Sequence, residues 1–216
     1  MSIVSLKNIN KKFDNKVIFK DFNLDVDEGE FLCIKGVSGA GKSTLLNIIG
    51  MLEKPDSGTL EIDGIKNPRF NSAKGIGLLR NTISYLFQNY GLIEEETVIY
   101  NLKVATHYLH YSKEERNKKI AEALEKVGLM GYEKKKVYQL SGGEQQRVAM
   151  AKILLKPSKL VLADEPTGSL DGANRDEILG LLQEMNKNGR TIIVVTHDPQ
   201  VDAYATKHLV IGSDNK

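Results

Sequence analysis

The strongest constraint on the fold is a glycine-rich segment that joins one apolar run to another. It reads G-V-S-G-A-G-K-S-T from Gly36 to Thr44. The preceding run, Phe31 to Lys35, predicts a short strand. A strand that passes through a short loop into a helix predicts an α/β fold. The residues that follow are apolar on all sides of a helix, as in a buried one: Leu45, Leu46, Ile48, Ile49 and Leu52.

The same segment fits the pattern of a phosphate-binding loop, or P-loop. In such a loop the backbone N–H groups surround the phosphates of a nucleotide, Lys42 reaches the β and γ oxygens, and the Ser43 hydroxyl binds Mg²⁺. We therefore predict that eight residues contact the nucleotide, namely Gly36, Ser38, Gly39, Ala40, Gly41, Lys42, Ser43 and Thr44.

Two adjacent carboxylates follow another apolar run. Leu160 to Ala163 predicts a buried parallel strand, and Asp164 and Glu165 come directly after it. This order resembles a Walker B motif, in which Asp164 holds Mg²⁺ through water and Glu165 polarises the attacking water as general base. Taken in isolation, a strand that ends in a solvated acidic turn would have the same sequence.

The octet L-S-G-G-E-Q-Q-R, from Leu140 to Arg147, predicts a helix start that suits an anion. Ser141 and Glu144 form a capping box, while Gly142 and Gly143 keep the first turn free of side chains. The N–H donors and positive dipole of such a helix end favour phosphate. An ordinary capped surface helix is the alternative for the octet alone. The octet resembles the signature motif of ABC-type ATPases.

With the P-loop, the octet and the Walker B motif in this order along the chain, the sequence resembles the ABC ATPase family over nearly its whole length. The resemblance implies a P-loop NTPase core of the RecA-like type, an antiparallel β subdomain and an inserted α-helical subdomain. It implies one domain over residues 1–216, with the core in 1–88 and 156–216 and the helical subdomain in about 89–155. It also implies that ATP is the nucleotide and that it is hydrolysed to ADP and phosphate.

Four smaller motifs follow from the resemblance. Gln88 matches the Q-loop glutamine, which in the family touches the metal and the water and signals to a membrane partner. Asp171 matches the D-loop aspartate, which helps to form the opposed subunit's site. His197, after the run Thr191 to Val195, matches the switch histidine that contacts the γ-phosphate. Phe13 stands where the family places an aromatic ring that stacks on adenine, and a core phenylalanine is the alternative.

The predicted site therefore has three sets of residues. The expected catalytic residues are Lys42, Gln88, Glu165 and His197. The expected Mg²⁺ ligands are Ser43, Gln88 and Asp164. The residues expected to contact the nucleotide of a second subunit are Ser141, Gly142, Gly143 and Glu144.

The partners follow from the resemblance and from composition. In the family two copies face each other head to tail, so that the signature of one closes on the γ-phosphate of the other; this implies an ATP-dependent homodimer, and pairing with a related chain is the alternative. With 30 basic and 28 acidic residues, no charge excess suggests nucleic acid. No apolar stretch approaches the ~18 residues that cross a bilayer. A transporter role thus requires a transmembrane permease subunit on a separate chain, with this chain on the cytoplasmic face of the cell membrane.

The amino-acid sequence around two of the motifs resembles that of one subfamily. Ile48 to Gly58 and Phe87 to Ile93 are similar to the ATPases of macrolide exporters, lipoprotein-release complexes and antimicrobial-peptide transporters, which implies export of a peptide, a bacteriocin or another amphiphile. A non-transport complex for mechanotransmission or antibiotic sensing is the alternative. Where many members have a Pro-containing segment, this chain has Glu94, Glu95 and Glu96. We hypothesise that these face a basic coupling helix of the permease; a solvated charge run is the alternative.

Overall fold

The chain folds into two β-sheets and a set of helices in a computed structural model, which describes residues 1–168, 170 and 172–212. The D-loop prediction at Asp171 lies outside the described residues. The strands are β1 (Ser2–Phe13), β2 (Lys16–Asp27), β3 (Phe31–Gly36), β4 (Ser57–Ile62), β5 (Ile65–Lys66), β6 (Ile83–Leu86), β7 (Leu160–Asp164), β8 (Thr191–Val195) and β9 (Lys207–Ile211). The helices are α1 (Lys42–Ile49), α2 (Ala73–Asn81), α3 (Val98–Ala105), α4 (Lys113–Lys126), α5 (Gly142–Leu155), α6 (Gly172–Lys187) and α7 (Pro199–Tyr204), with a 3-10 turn at Val137–Gln139.

The larger sheet is parallel, in the order β6-β7-β8-β3-β9. Its central strands are buried on both faces because a core cluster covers each side of the sheet. Leu162 and Ile193 face the cluster that contains α1 and the second sheet, whereas Val161 and Ile192 face the cluster that contains α5 and α6. The carboxyl ends of β3, β6, β7 and β8 therefore meet at one edge, where parallel sheets bind ligands.

The smaller sheet is antiparallel, in the order β2-β1-β4-β5. It confirms the antiparallel β subdomain that the family resemblance implies. Its inward side chains, such as Leu6 and Leu24, share a core with Leu45 and Leu46 of α1. The β1–β2 hairpin is thus fixed against the helix that follows the P-loop.

Helices α3, α4 and α5 occupy the segment between β6 and β7. Ile120 and Leu124 are buried on one face of α4, and Gly128 follows the helix with φ 66°. Ser112 caps the start of α4, since Glu115 N donates to Ser112 Oγ at 3.1 Å. Across the part of the chain that the structure describes, no helix is both long and apolar enough to cross a membrane. The α/β fold with an antiparallel sheet and a helical insert is confirmed, whereas the domain bounds stay a prediction.

The predicted extent of the first helix is wrong at one residue. Leu52 lies beyond α1 and is 46% exposed. The helix ends at Ile49 because the next residues turn: Gly50 caps it, and Met51 has a left-handed φ of 59°. Leu52 N then donates back to Asn47 O at 2.8 Å. A glycine within an apolar run was the available sign of this end.

Gly36 offers a test of how tightly β3 and β9 pack. Its φ is 152°, and a Cβ there would lie 2.2 Å from Ile211 O. We expect Gly36→Ala to lower the free energy of unfolding by about 2–4 kcal/mol because backbone must move. Gly180→Ala is the matched control, since its Cβ meets nothing within 4 Å on α6; it should stabilise by up to about 1 kcal/mol. Urea unfolding followed by circular dichroism measures both, and equal stabilities would contradict the packing argument.

Candidate functional site

A cleft of about 300 Å³ lies at the carboxyl edge of the parallel sheet. We call it the P-loop cleft. It gathers residues from the hairpin, the P-loop and the ends of three further strands. Its lining residues are Ile18, Ser38, Gly39, Gly41, Lys42, Ser43, Thr44, Gln88, Asp164, Glu165, Val195 and His197. Most of the predicted nucleotide, metal and catalytic residues therefore meet in one place.

Lys42 is buried at the centre of the loop. Its Nζ donates to Gly36 O at 2.8 Å and to Val37 O at 3.1 Å, and the residue is 9% exposed. An ammonium has three donors, and within the described residues these two carbonyls are its hydrogen-bond partners. The loop thus holds a positive charge, and an anion in the cleft can accept the third N–H of the ammonium.

Left-handed backbone shapes the loop around this charge. Gly41 has φ 104°, and a Cβ there would lie 2.5 Å from Ile18 Cγ2 on the hairpin. Gly39 has φ 74°, and its carbonyl accepts a hydrogen bond from Lys16 Nζ at 3.2 Å. Glycine suits both positions because it carries no side chain to clash. The hairpin therefore contacts the loop along its length.

Two predicted loop residues do not line the cleft. Gly36 supplies the carbonyl that accepts from Lys42, and Ala40 packs against the core. Conversely, Ile18 and Val195 line the cleft without belonging to any motif. Sequence reasoning missed them because a single apolar residue on a strand has no distinguishing pattern.

The two carboxylates and the histidine lie at the ends of β7 and β8. Glu165 has φ 47°, an uncommon value for a residue with a side chain, and its N donates to Val195 O at 2.9 Å. Its Oε1 lies 3.7 Å from His197 Nε2. The carboxylate is 23% exposed and the imidazole 61% exposed. Left-handed backbone at a functional position costs about 1–3 kcal/mol and persists only where neighbours enforce it.

Hydrogen bonds connect the segments that follow these strands. Gln146 Nε2 of α5 donates to Pro166 O at 2.9 Å in a buried contact. Thr167 Oγ1 donates to Asp198 Oδ2 at 3.1 Å, and Asp198 caps α7. The chain after Glu165 is therefore fastened both to the signature helix and to the segment that carries the histidine.

The signature motif forms the predicted capping box at the start of α5. Glu144 N donates to Ser141 Oγ at 3.3 Å, and Ser141 N donates to Glu144 Oε2 at 2.7 Å. The second bond, which favours the ionised carboxylate, holds the pKa of Glu144 below its usual value. Ser141 and Gly142 are exposed, and no signature residue lines the P-loop cleft. The helix N-terminus is therefore open to a ligand from outside the chain.

Phe13 lies at the end of β1, where its backbone pairs with Lys16 across the hairpin. Its side chain is 44% exposed, which excludes the alternative of a core phenylalanine. It does not line the P-loop cleft but occupies the hairpin beside it. An exposed ring at this point is available to a planar group of a ligand.

Comparison with known proteins gives consistent relatives. The family described as ABC transporter matches residues 19–168. The macrolide export ATP-binding/permease protein MacB 1/2 of Paracoccus denitrificans (strain Pd 1222) is 42% identical over 195 residues, 90% of this chain and 29% of that protein. The uncharacterized ABC transporter ATP-binding protein YvrO of Bacillus subtilis (strain 168) is 40% identical over 213 residues, 97% of this chain and 93% of that protein. The chain spans about a third of the length of the MacB proteins that it matches.

Solved structures agree with the fold. The dimeric structure of MJ0796, a bacterial ABC transporter cassette, has a TM-score of 0.89 at 38% identity over 97% of this chain and 94% of that one. A post-hydrolysis state of MJ0796 bound to ADP and Pi has a TM-score of 0.87 at 38% identity, and covers 96% and 94% of the two chains. Because the family match covers residues 19–168 and the relatives and solved structures cover 90–97% of the chain, the chain belongs to the ABC transporter family, as one of its ATPase cassettes.

Proposed function

We propose that this chain binds ATP with Mg²⁺ in the P-loop cleft and hydrolyses it to move a membrane partner. One observation carries the proposal: the Lys42 amine, the two carboxylates at the end of β7 and the histidine after β8 all line the same cleft. Lys42 binds the β and γ oxygens, and the exposed loop amides bind the phosphates. Phe13 stacks on the adenine from the hairpin.

The residues of the cleft fit Mg²⁺. Ser43, Gln88 and Asp164 offer a hydroxyl, an amide carbonyl and a carboxylate, and all three line the cleft beside Lys42. Mg²⁺ prefers oxygen ligands and takes few from protein when phosphates supply others. When bound, the ion would neutralise charge on the β and γ oxygens. These three residues would hold it there.

Glu165 is placed to act on water. Its side chain points into the P-loop cleft, and the contact of 3.7 Å with His197 sets the two groups side by side. Glu165 accepts a proton from the attacking water, while His197 donates to a γ-phosphate oxygen. The backbone bond to Val195 O fixes the base relative to the strand that carries the histidine.

A second copy completes the site. The open N-terminus of α5 is capped and oriented, yet it does not line its own cleft. A head-to-tail homodimer would bring Ser141, Gly142, Gly143 and Glu144 of one subunit to the γ-phosphate held by the other. The solved structures of MJ0796 are described as dimeric, which supports this arrangement. The role of Asp171 at the same interface stays a prediction.

The membrane partner is a transmembrane permease on a separate chain, with this chain at the cytoplasmic face. The MacB relatives are named ATP-binding/permease proteins for macrolide export. These names favour an exporter over a complex for mechanotransmission or antibiotic sensing. The cargo we propose is an amphiphile of the size of a macrolide or a peptide, bacteriocins included.

The function is tested by phosphate release from ATP. The purified chain is expected to hydrolyse ATP only with Mg²⁺, and EDTA should lower the rate at least a hundredfold because charge on the phosphates is left uncompensated. Binding of a fluorescent ATP analogue should survive EDTA in weakened form, since Lys42 and the loop amides remain. Absence of ATP binding in both conditions would contradict the proposal.

The acidic segment after the Q-loop supplies a test of permease docking. Glu94 and Glu95 are exposed, and the segment leads to α3, where Tyr100 and Val104 are exposed. Leu52 and Val104 line a second cavity of about 250 Å³. Charge reversal of Glu94, Glu95 and Glu96 is expected to weaken permease binding about tenfold and to leave basal hydrolysis unchanged, because like charges would then face the coupling helix.

The control reverses three exposed charges elsewhere, Glu114, Glu122 and Glu125 of α4. Binding is measured by co-purification with the permease in detergent, and stimulation by phosphate release. Unchanged complex formation and stimulated ATPase after reversal of the first triplet would show that it is only a solvated charge run.

A further inference from the structure

A buried lysine lies against the exposed ring of Phe13. The Lys11 side chain is only 8% exposed, although it carries a charge. Its Nζ lies 4.7 Å from the centroid of the Phe13 ring. An ammonium at this distance from an aromatic ring is attracted to its face, and the attraction grows when the cation is shielded from water.

The ammonium is held in place from below. Lys11 Nζ lies 2.6 Å from Glu53 Oε1 and 3.7 Å from Asp56 Oδ1, and it donates to Lys54 O at 2.9 Å. Asp56 Oδ2 also accepts from Lys12 N at 2.8 Å. Because the segment 53–56 supplies two carboxylates and a carbonyl to the same ammonium, the lysine has little freedom to leave the ring.

That segment continues the P-loop helix. Leu52 N and Glu53 N donate to Asn47 O of α1 at 2.8 and 3.1 Å. On its other side the hairpin reaches the P-loop itself, through Lys16 Nζ and Gly39 O. The Phe13 ring is therefore connected to the P-loop through Lys16 and, through Lys11 and the segment 53–56, to helix α1.

We propose that Lys11 is a positioning residue, which holds one face of the Phe13 ring so that the opposite face is set to receive the nucleobase. The inference rests on the proposed function, in which Phe13 stacks on adenine. A ring fixed before binding loses less rotational freedom when the base arrives. Stacking of a base on an aromatic ring is worth about a factor of 5 to 150 in affinity, and a mobile ring loses part of it.

The test compares two ligands that share phosphates but not a base. For Lys11→Met we expect the Kd of MgATP to rise five- to tenfold, while the Kd of inorganic tripolyphosphate with Mg²⁺ changes less than twofold. Lys11→Arg should restore most of the ATP affinity because it keeps the cation. Lys7→Met is the matched control, because Lys7 lies on the same strand as Lys11 but its Nζ pairs with Asp25 of β2 at 3.8 Å. Both affinities should be unchanged in this variant.

A milder variant guards against loss of folding. Glu53→Gln weakens the shortest contact of Lys11 but leaves the lysine in place. We expect the Kd of MgATP to rise two- to threefold and the Kd of tripolyphosphate to stay unchanged. Thermal unfolding of every variant is recorded alongside binding. If ATP and tripolyphosphate affinities fall by the same factor in Lys11→Met and Glu53→Gln, or neither falls, Lys11 does not position the ring.

A Phe13 variant distinguishes a failure of adenine stacking from a failure of the Lys11 proposal alone. Phe13→Ala should weaken ATP alone, and Lys11→Met added to it should have no further effect, because the ring that it positions is gone. A Phe13→Ala variant with unchanged ATP affinity overturns stacking and the role of Lys11 together. A Phe13→Ala variant that loses ATP affinity while Lys11→Met keeps it overturns only the role of Lys11.

Discussion

Glu165→Gln is expected to lower ATP turnover about a thousandfold and to leave ATP binding within a few-fold of the wild type. The amide has nearly the same shape as the carboxylate but cannot accept the proton of the attacking water, and general-base catalysis typically contributes 10²–10⁴-fold. The backbone geometry of residue 165, with its bond to Val195 O, does not involve the side chain and should be retained. Phosphate release measures turnover, and nucleotide fluorescence measures binding.

The same variant reports on assembly. With hydrolysis blocked, ATP remains bound between the two subunits, so size exclusion should show a dimer with ATP and a monomer without it. Glu184→Gln is the control, because this carboxylate is exposed on α6 and pairs with Lys126 away from the cleft; turnover should be unchanged. Wild-type turnover in Glu165→Gln would exclude it as the base. A monomer with bound ATP would mean that the working pair needs a related chain or the permease.

Local chemistry made most elements predictable. Apolar runs predicted β7 and β8, and the reciprocal Ser141 and Glu144 pattern predicted the start of α5, because each feature depends on residues a few positions apart. Strand order is different: β3 lies between β8 and β9, which come more than a hundred residues later. No local pattern encodes that pairing, and β9 alternates too weakly to be recognised alone.

The residues of the candidate site also fall into two groups: those that a local motif predicts, and those that only the tertiary fold brings close to the cleft. Motif spacing identified Lys42, Asp164 and His197, since their chemistry needs fixed neighbours. It missed Ile18, which lines the cleft only because the hairpin packs on the P-loop, and Lys11, which contacts the Phe13 ring beside the cleft. The left-handed backbone of Glu165 was equally hidden, because glutamate rarely adopts it and the neighbouring strands enforce it.

Lys42→Ala should have the second large effect, a loss of ATP affinity of about a hundredfold. A hydrogen bond to a charged group contributes about 1.5–3 kcal/mol, and the variant removes the charge and the bonds that it makes in the free protein. Lys42 Nζ bridges Gly36 O and Val37 O, so the loop also loses an internal support. Both losses act on the phosphates and neither on the adenine.

Two ligands can therefore distinguish the contribution of Lys42 from that of Phe13 on the hairpin. Lys42→Ala should weaken MgATP and tripolyphosphate by the same factor, whereas Phe13→Ala should weaken MgATP alone. Lys35→Met is the control: this lysine precedes the P-loop on β3 but pairs with Asp202 at 2.7 Å and does not line the cleft. Isothermal titration of the four proteins with both ligands measures the factors. Because different parts of the chain bind the phosphates and the base, their contributions to the binding free energy should add. If Lys42→Ala instead weakens MgATP and tripolyphosphate by different factors, phosphate binding and base binding are coupled through the P-loop.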